Sequence, residues 1–360
     1  MDAYLVHPRN AVQSAPANPS PTTAYSRSRH RKESRQRDDC CKLLSTVPGD
    51  KAYHPLSASE CPQVSRPMNK AWPARSRRSR NLGEEQLDFE TIAFRVADSV
   101  ALLTLSRPAR TNALNDRMLQ EINGAMDLAE RDSAVRVVVV VGAGQAFSSG
   151  FDLKEQMELR PTGFDQWKPI LRKDFDAVMR FWHCPKPTIA AVRGPCLAGA
   201  FELSLACDMT IASETAFFGE PELKFGAGIV VMLLPWLVGP KIAKEIIFLG
   251  EDRLSVERAR ELGIVNKIVP DASLEAETAL VARHLCAIDP GLVKQTKRAI
   301  NYTLERQGLL DALEAALAID LDIEGPGSHD KMAFMDIARA EGLKAAIAWR
   351  DARFPERRNK

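Results

Sequence analysis

Histidine is scarce: of six in the chain, the region beyond residue 87 holds only His183, His284 and His329. None sits in a motif with a nucleophile, and no G-x-S-x-G elbow is present, so Ser148-Ser149-Gly150 does not read as a serine hydrolase. The seven cysteines, at 40, 41, 61, 184, 196, 207 and 286, show no C-x-x-C spacing. That excludes a zinc site or disulfide framework and suggests reduced core thiols in an intracellular protein. The longest uncharged stretch of the body, residues 225–240, is broken by Gly and Pro and falls short of the roughly 20 residues that span a bilayer. Residues 1–10 are followed by Ala, Ser and Pro rather than the apolar core of a secretory signal.

What is present is an ordinary globular average: 360 residues, 45% hydrophobic, 27% charged, with 49 Lys and Arg against 47 Asp and Glu. The balance is uneven, because residues 1–80 carry 15 basic and 6 acidic side chains, so the arm is basic and the body acidic. The arm also has only eight Leu, Ile, Val or Phe and nine of the 22 prolines. Too little apolar surface is available there to offset ordering entropy, and residues 1–86 are expected to be a disordered basic extension. Its Arg-rich clusters lack interleaved aromatics and a nucleic-acid-binding module, which argues against nucleic acid as the partner. A binder of that kind would lose affinity steeply with salt. Two further readings are an organellar presequence, weakened by Glu33, Asp38 and Asp39, and a dispensable extension with a later start at Met68.

From residue 87 the pattern becomes regular. Residues 89–96 and 100–105 alternate as a hairpin around Ala97-Asp98, and 117–130 have helical spacing. The β-branched run 135–141 reads as a strand covered on both faces. Helix over 164–182, strand over 187–192, helix over 197–206 and strand over 208–213 follow, an α/β succession of crossover units. Beyond residue 228 the chain reads as helices over 229–238, 242–249, 255–262, 274–287, 292–305, 309–321 and 331–349. Residues 265–270 interrupt them as a strand.

Three segments combine small residues with a strand-to-helix junction: 142–153, 190–203 and 216–226. Gly and Ala there let backbone approach a ligand, and the first N–H groups of a helix lack intrahelical acceptors, so they can donate to an oxygen that becomes negative. Within them Glu202 stands in an apolar setting, where an unpaired carboxyl needs a task or a partner, and Glu222 follows Pro221.

With RPARTNAL at 107–114, the segment 137–153, the block 186–208, FGEPE at 218–222, ARELGIVNKIVP at 259–270 and EGLKAA at 341–346 in this order, the chain resembles the enoyl-CoA hydratase (crotonase) superfamily over about residues 89–354. The resemblance implies a crotonase-like spiral of ββα units over 87–270 with the active site, and a C-terminal helical trimerisation region over 271–360. It further implies homotrimers or homohexamers, acyl-CoA thioesters as substrates and no cofactor beyond the coenzyme A of the substrate. It assigns Ser149 and Gly199 as backbone oxyanion donors, Glu202 and Glu222 as catalytic acids, and Ser149, Gly150, Phe151, Asp152 and Gly199 to substrate binding. Two acids favour a hydratase; an isomerase or an acyl-CoA lyase or hydrolase is the alternative. No metal or membrane is implied, and the expected location is cytoplasmic, or mitochondrial if the extension is a presequence. Three departures stand out: the loop after Glu222 is about three residues short, a bulky Phe151 replaces a small residue, and Ala200 replaces a glycine.

Overall fold

The computed structural model describes residues 89–354, and the expectations for residues 1–88 lie outside them. The hairpin is formed by β1 (Ile92–Ala97) and β2 (Val100–Leu105), registered from Ile92 against Leu105 to Ala97 against Val100. Its two turn residues, Asp98 and Ser99, both have positive φ, the geometry whose twist matches that of the flanking strands. Next come α1 (Asp116–Arg131), capped by the Asn115 side chain, and β3 (Val137–Gly142), which lies parallel to β2. α2 (Leu153–Leu159) and α3 (Gly163–His183) lead to β4 (Thr188–Val192), again parallel.

The chain then makes a short excursion. β5 (Pro195–Leu197) runs into α4 (Gly199–Ala206), β6 (Met209–Ser213) returns to the main sheet, and β7 (Phe217–Gly219) pairs in parallel with β5. After α5 (Leu234–Val238) and α6 (Pro240–Phe248), β8 (Leu254–Ser255) completes a three-stranded second sheet in the order β5-β7-β8. α7 (Val256–Glu261) precedes β9 (Lys267–Val269), which closes the six-stranded sheet β1-β2-β3-β4-β6-β9. The remainder is helical: α8 (Leu274–Ala287), α9 (Pro290–Arg306), α10 (Leu309–Glu324), α11 (His329–Glu341) and α12 (Leu343–Ala352).

Alternation along the strands explains the run of valines in β3. Val138 and Val140 join Leu103, Leu105, Ala190 and Val192 in a large core against α1, α3 and α4, while Val137 and Val139 face Leu274 and Ala282 of α8 with Val100 and Leu102. A strand covered on both faces has no solvated side on which to place polar residues.

The sequence pattern differs from the structure in three places. Residues 229–233 form an irregular loop rather than a helix, because the loop after Glu222 is tied down by hydrogen bonds described below and Pro235 opens α5. The last helical stretch breaks at Gly342, whose φ of 90° ends α11 and starts α12 at a new angle. The strands of the second sheet are two or three residues long, too brief for a periodicity to register, yet they position the site.

Candidate active site

The second sheet brings the three Gly- and Ala-rich segments together. Leu197 at the end of β5 is in register with Gly219 at the end of β7, and the Ala198 N–H donates to the Gly219 carbonyl at 2.8 Å. An isolated bridge joins Ser148 to Cys196 on the other side. Gly199 and Glu220 therefore leave adjacent strands side by side, with residues 148–151 beside them. Gly150 (φ +89°) allows this approach, since a Cβ there would lie 2.7 Å from the Ala198 Cβ.

The loop before α1 fixes the first segment. Asn112 is fully buried with φ 51°, and its side-chain amide donates to the carbonyls of Ala143 and Ala146 at 2.9 Å and of Phe147 at 3.2 Å. Thr111, also left-handed at φ 52°, turns its carbonyl onto the Ser149 N–H, which donates to it at 3.0 Å. This corrects the expectation for Ser149, whose amide is already engaged. The Gly150 N–H turns to the Ser148 hydroxyl at 3.2 Å. Among the described residues the Phe151 N–H has no acceptor, so the free donor stands two positions further on. Gly199 is where it was expected, as the first residue of α4, with its N–H unpaired. It follows Ala198, a non-glycine residue held at φ 55°, a strained geometry that re-aims the chain into the helix. The Phe151 ring lies directly over Gly199 and fills the space its missing side chain leaves.

A cavity of about 630 Å³ opens beside these amides. Ser149, Phe151, Asp152, Glu202 and Glu222 all contribute to its wall, so the two glutamates share one chamber. Asp152 has both oxygens committed: Oδ2 accepts from Arg107 Nη1 at 2.8 Å, and Oδ1 caps α2 by accepting from the N–H of Lys154 and of Glu155.

Glu202 lies in the first turn of α4 with 2% of its surface exposed, and its Oε2 accepts from the Val231 N–H at 3.1 Å. Burial, then the charge of Glu222, push its carboxyl well above the usual range. Glu222 begins a 3-10 turn, and its Oε2 is sealed from solvent without a hydrogen-bond partner. Burial raises it to about 7, and the neighbouring Glu220 carboxyl limits the rise. Glu220 is fully buried with both oxygens unpartnered, and burial together with the two other glutamates pushes it well up. Burial thus raises all three carboxyls of this trio above the usual carboxylate range.

The short loop after Glu222 is held from the C-terminal helices. The Ser328 hydroxyl donates to the Gly226 carbonyl at 2.6 Å, the Gly228 N–H donates to Glu324 Oε1 at 3.1 Å, and Val231 reaches Glu202. Through Asp320 and Glu324, α10 thus enters the site, and Asp174 of α3 joins from the other side. Sequence reasoning missed all three, although a signal existed. Leu309, Leu313 and Leu317 mark the buried face of α10, and Asp320 and Glu324 continue it; Asp174 falls between Leu171 and Val178 on the apolar stripe of α3. The rim has the opposite sign, with exposed Arg110, Lys154 and Arg253 around the cavity.

Comparison with known proteins agrees with this arrangement. The family model for enoyl-CoA hydratase/isomerase matches residues 95–331. The short-chain-enoyl-CoA hydratase of Clostridium acetobutylicum is 32% identical over 72% of this chain and 99% of its own length. A putative enoyl-CoA hydratase/isomerase of Bacillus subtilis, YngF, is 34% identical over 71% of this chain and 95% of its own. Among solved structures, an enoyl-CoA hydratase/isomerase from Xanthobacter autotrophicus Py2 is 69% identical, covering 74% of this chain and all of its own, with a TM-score of 0.74. With its crossover sheet, its C-terminal helices and these matches, the chain belongs to the enoyl-CoA hydratase/isomerase family.

Proposed function

We propose that the chain reversibly adds water across the double bond of an α,β-unsaturated acyl-CoA thioester. The observation that carries this reading is the pairing of Glu202 and Glu222 in one cavity lined also by Phe151 and Ala198, where the N–H groups of Phe151 and of Gly199, the residue after Ala198, have no acceptor among the described residues. The thioester oxygen receives both N–H groups, and the amide at the α4 N-terminus adds the favourable end of the helix dipole. As water attacks C3, one glutamate accepts its proton, charge moves through C2 to the thioester oxygen as an enolate, and the other glutamate delivers a proton to C2. Hydrogen and charge then balance, and the pair again shares one proton. The cationic rim of Arg110, Lys154 and Arg253 suits the phosphates of coenzyme A, and the acyl group extends inward.

Isomerisation is the second reading, favoured by the short loop after Glu222, which ties that residue to α10; it needs one acid to carry a proton between C2 and C4. A panel of enoyl-CoA thioesters followed by mass spectrometry separates the reactions. Gain of one water supports hydration, an isobaric product supports isomerisation, and free coenzyme A supports hydrolysis. The trimer or hexamer is carried forward as a proposal on the same basis: α9 exposes Leu292 and Ile300 by more than half, an apolar face suited to a second copy, and sedimentation analysis tests it. No helix among the described residues is long and apolar enough to cross a membrane.

A further inference from the structure

The inner part of the cavity has a chemistry that hydration alone does not require. A straight alkyl chain is received best by apolar side chains, and Trp167, Leu171 and Val230 supply some of that wall. Between them, however, stand two carboxyls that no protein group satisfies. Asp320 is 2% exposed, and neither of its oxygens has a hydrogen-bond partner among the described residues. Asp174, 5% exposed, faces the same cavity from α3 and has no hydrogen-bond or ion-pair partner among the described residues. The nearby cation is already used: Lys331 pairs with Glu324 and stands 4.1 Å from the centre of the Trp167 ring. The Asp320 carboxyl packs against the loop, with its Oδ1 1.8 Å from where a Cβ on Gly228 would be, so glycine at 228 leaves it room. Nor do these acids form a cation site, because among the described residues no three of His, Cys, Asp or Glu are grouped to hold a metal ion.

We propose that Asp320 and Asp174 form a recognition subsite for an acyl group bearing a hydrogen-bond donor, a hydroxyl or amine, beyond C3. This rests on the acyl-CoA reading above. The carboxyls of Asp320 and Asp174, both lining the cavity, can accept hydrogen bonds, whereas a methyl terminus in the same place strips water from them and returns nothing. Glu202 and Glu222 flank the reacting carbons, and Asp320 is close enough for its charge to act on both, so the donor belongs on the chain just past the site of reaction.

The test uses saturated acyl-CoA thioesters of four to eight carbons, which bind without turning over, in three series: unsubstituted, hydroxylated and aminated toward the far end. Calorimetry with the full chain is expected to give at least about tenfold tighter binding for one donor-bearing series than for the alkyl series at the best length. Asp320→Leu and Asp174→Leu should each remove that preference or turn it toward alkyl. Asp320→Asn keeps an acceptor and should retain a hydroxyl preference while losing an amine preference. Alkyl thioesters binding as well as both other series at every length in the unaltered chain would overturn the proposal, since water then suffices for the two acids. Hydration is scored separately with the enoyl forms. A donor preference without hydration overturns only the hydratase reading, hydration with alkyl preference overturns only the subsite, and no thioester binding overturns both.

Discussion

Replacing Gly199 by alanine tests the proposed oxyanion hole through one contact. A Cβ at 199 would sit 2.3 Å from Phe151 Cε2 and 2.7 Å from Cδ2 and Cζ. Carbon atoms pack at about 3.5–4.0 Å, so ring and helix must separate by roughly 1 Å or more. Donors must lie at about 2.7–3.1 Å from the developing oxyanion, and a displacement of about 1 Å is enough to cost on the order of 100-fold in rate. Overpacking of this kind also costs about 1–3 kcal/mol, a fall in Tm of roughly 2–12 °C. Phe151→Ala keeps the amide and removes the ring, so its kcat should stay within about tenfold of the parent. The double variant should recover most of the lost rate, because the three atoms nearest the methyl at 199, all of the Phe151 ring, are then gone. Steady-state kinetics on an enoyl-CoA thioester that the parent turns over, with thermal unfolding of all four proteins, completes the cycle. If G199A retains full kcat and Tm, or if the double variant is no better than G199A, the packing of the ring on the helix start does not set the donor geometry.

Three further outcomes follow from the same coordinates. Glu202→Gln and Glu222→Gln should each lower kcat by roughly 100-fold to 10,000-fold with little change in affinity for a saturated acyl-CoA, and an isomerase would lose activity with only one of them. Glu222, Asp174 and Asp320 each sit at about 7, above values of 4.5 and 3.8 expected when unfolded, so the folded chain holds protons that the unfolded chain releases. Their contribution to stability is therefore complete below about pH 4 and fades as pH rises to about 7; urea unfolding across that window should show the decline, and Asp320→Asn should flatten it. Lys297 donates to Asp208 Oδ2 at 2.8 Å and to the Lys186 carbonyl at 3.1 Å in a largely buried pocket, so Lys297→Met should cost about 3–5 kcal/mol, and Asp208→Asn in the same chain should return part of it.

Long elements were legible because their periods repeat. The hairpin, the valine strand β3 and the helices α1, α3 and α8–α10 each show several turns or alternations of one pattern, and the structure forms them within a few residues of the expected bounds. The second sheet was not, since Leu254–Ser255 and Phe217–Gly219 contain less than two full alternations. The loop at 226–233 misled for a different reason. Its apolar residues Ile229, Val230, Val231 and Leu233 suit a helix, but Ser328, Glu324 and Glu202 hold its backbone in an irregular course as partners roughly 30–100 positions away. Local preference yields where distant groups satisfy the backbone better.

The site shows the same division between side chains and backbone. Glu202 was legible because a carboxylate inside an apolar helical run is anomalous on its face, and Asp320 was legible in principle for the same reason. A main-chain donor leaves no such mark, because every residue but proline carries one and only the fold decides which N–H is spared. Ser149 and Phe151 differ by two positions, with the left-handed Gly150 (φ +89°) between them. Thr111 separates them: its left-handed turn delivers a carbonyl to Ser149, whereas the Phe151 amide has no acceptor among the described residues. Asn112, with three carbonyls on its side chain and Arg107 N–H on its Oδ1, holds that turn in place; Asn112→Ala should therefore destabilise the chain by roughly 2–5 kcal/mol and reduce kcat more than it weakens thioester binding. Thermal unfolding and a KM-against-kcat comparison check both effects, and an N112A protein with lowered Tm but unchanged kcat would mean that the Phe151 amide is held by the second sheet alone.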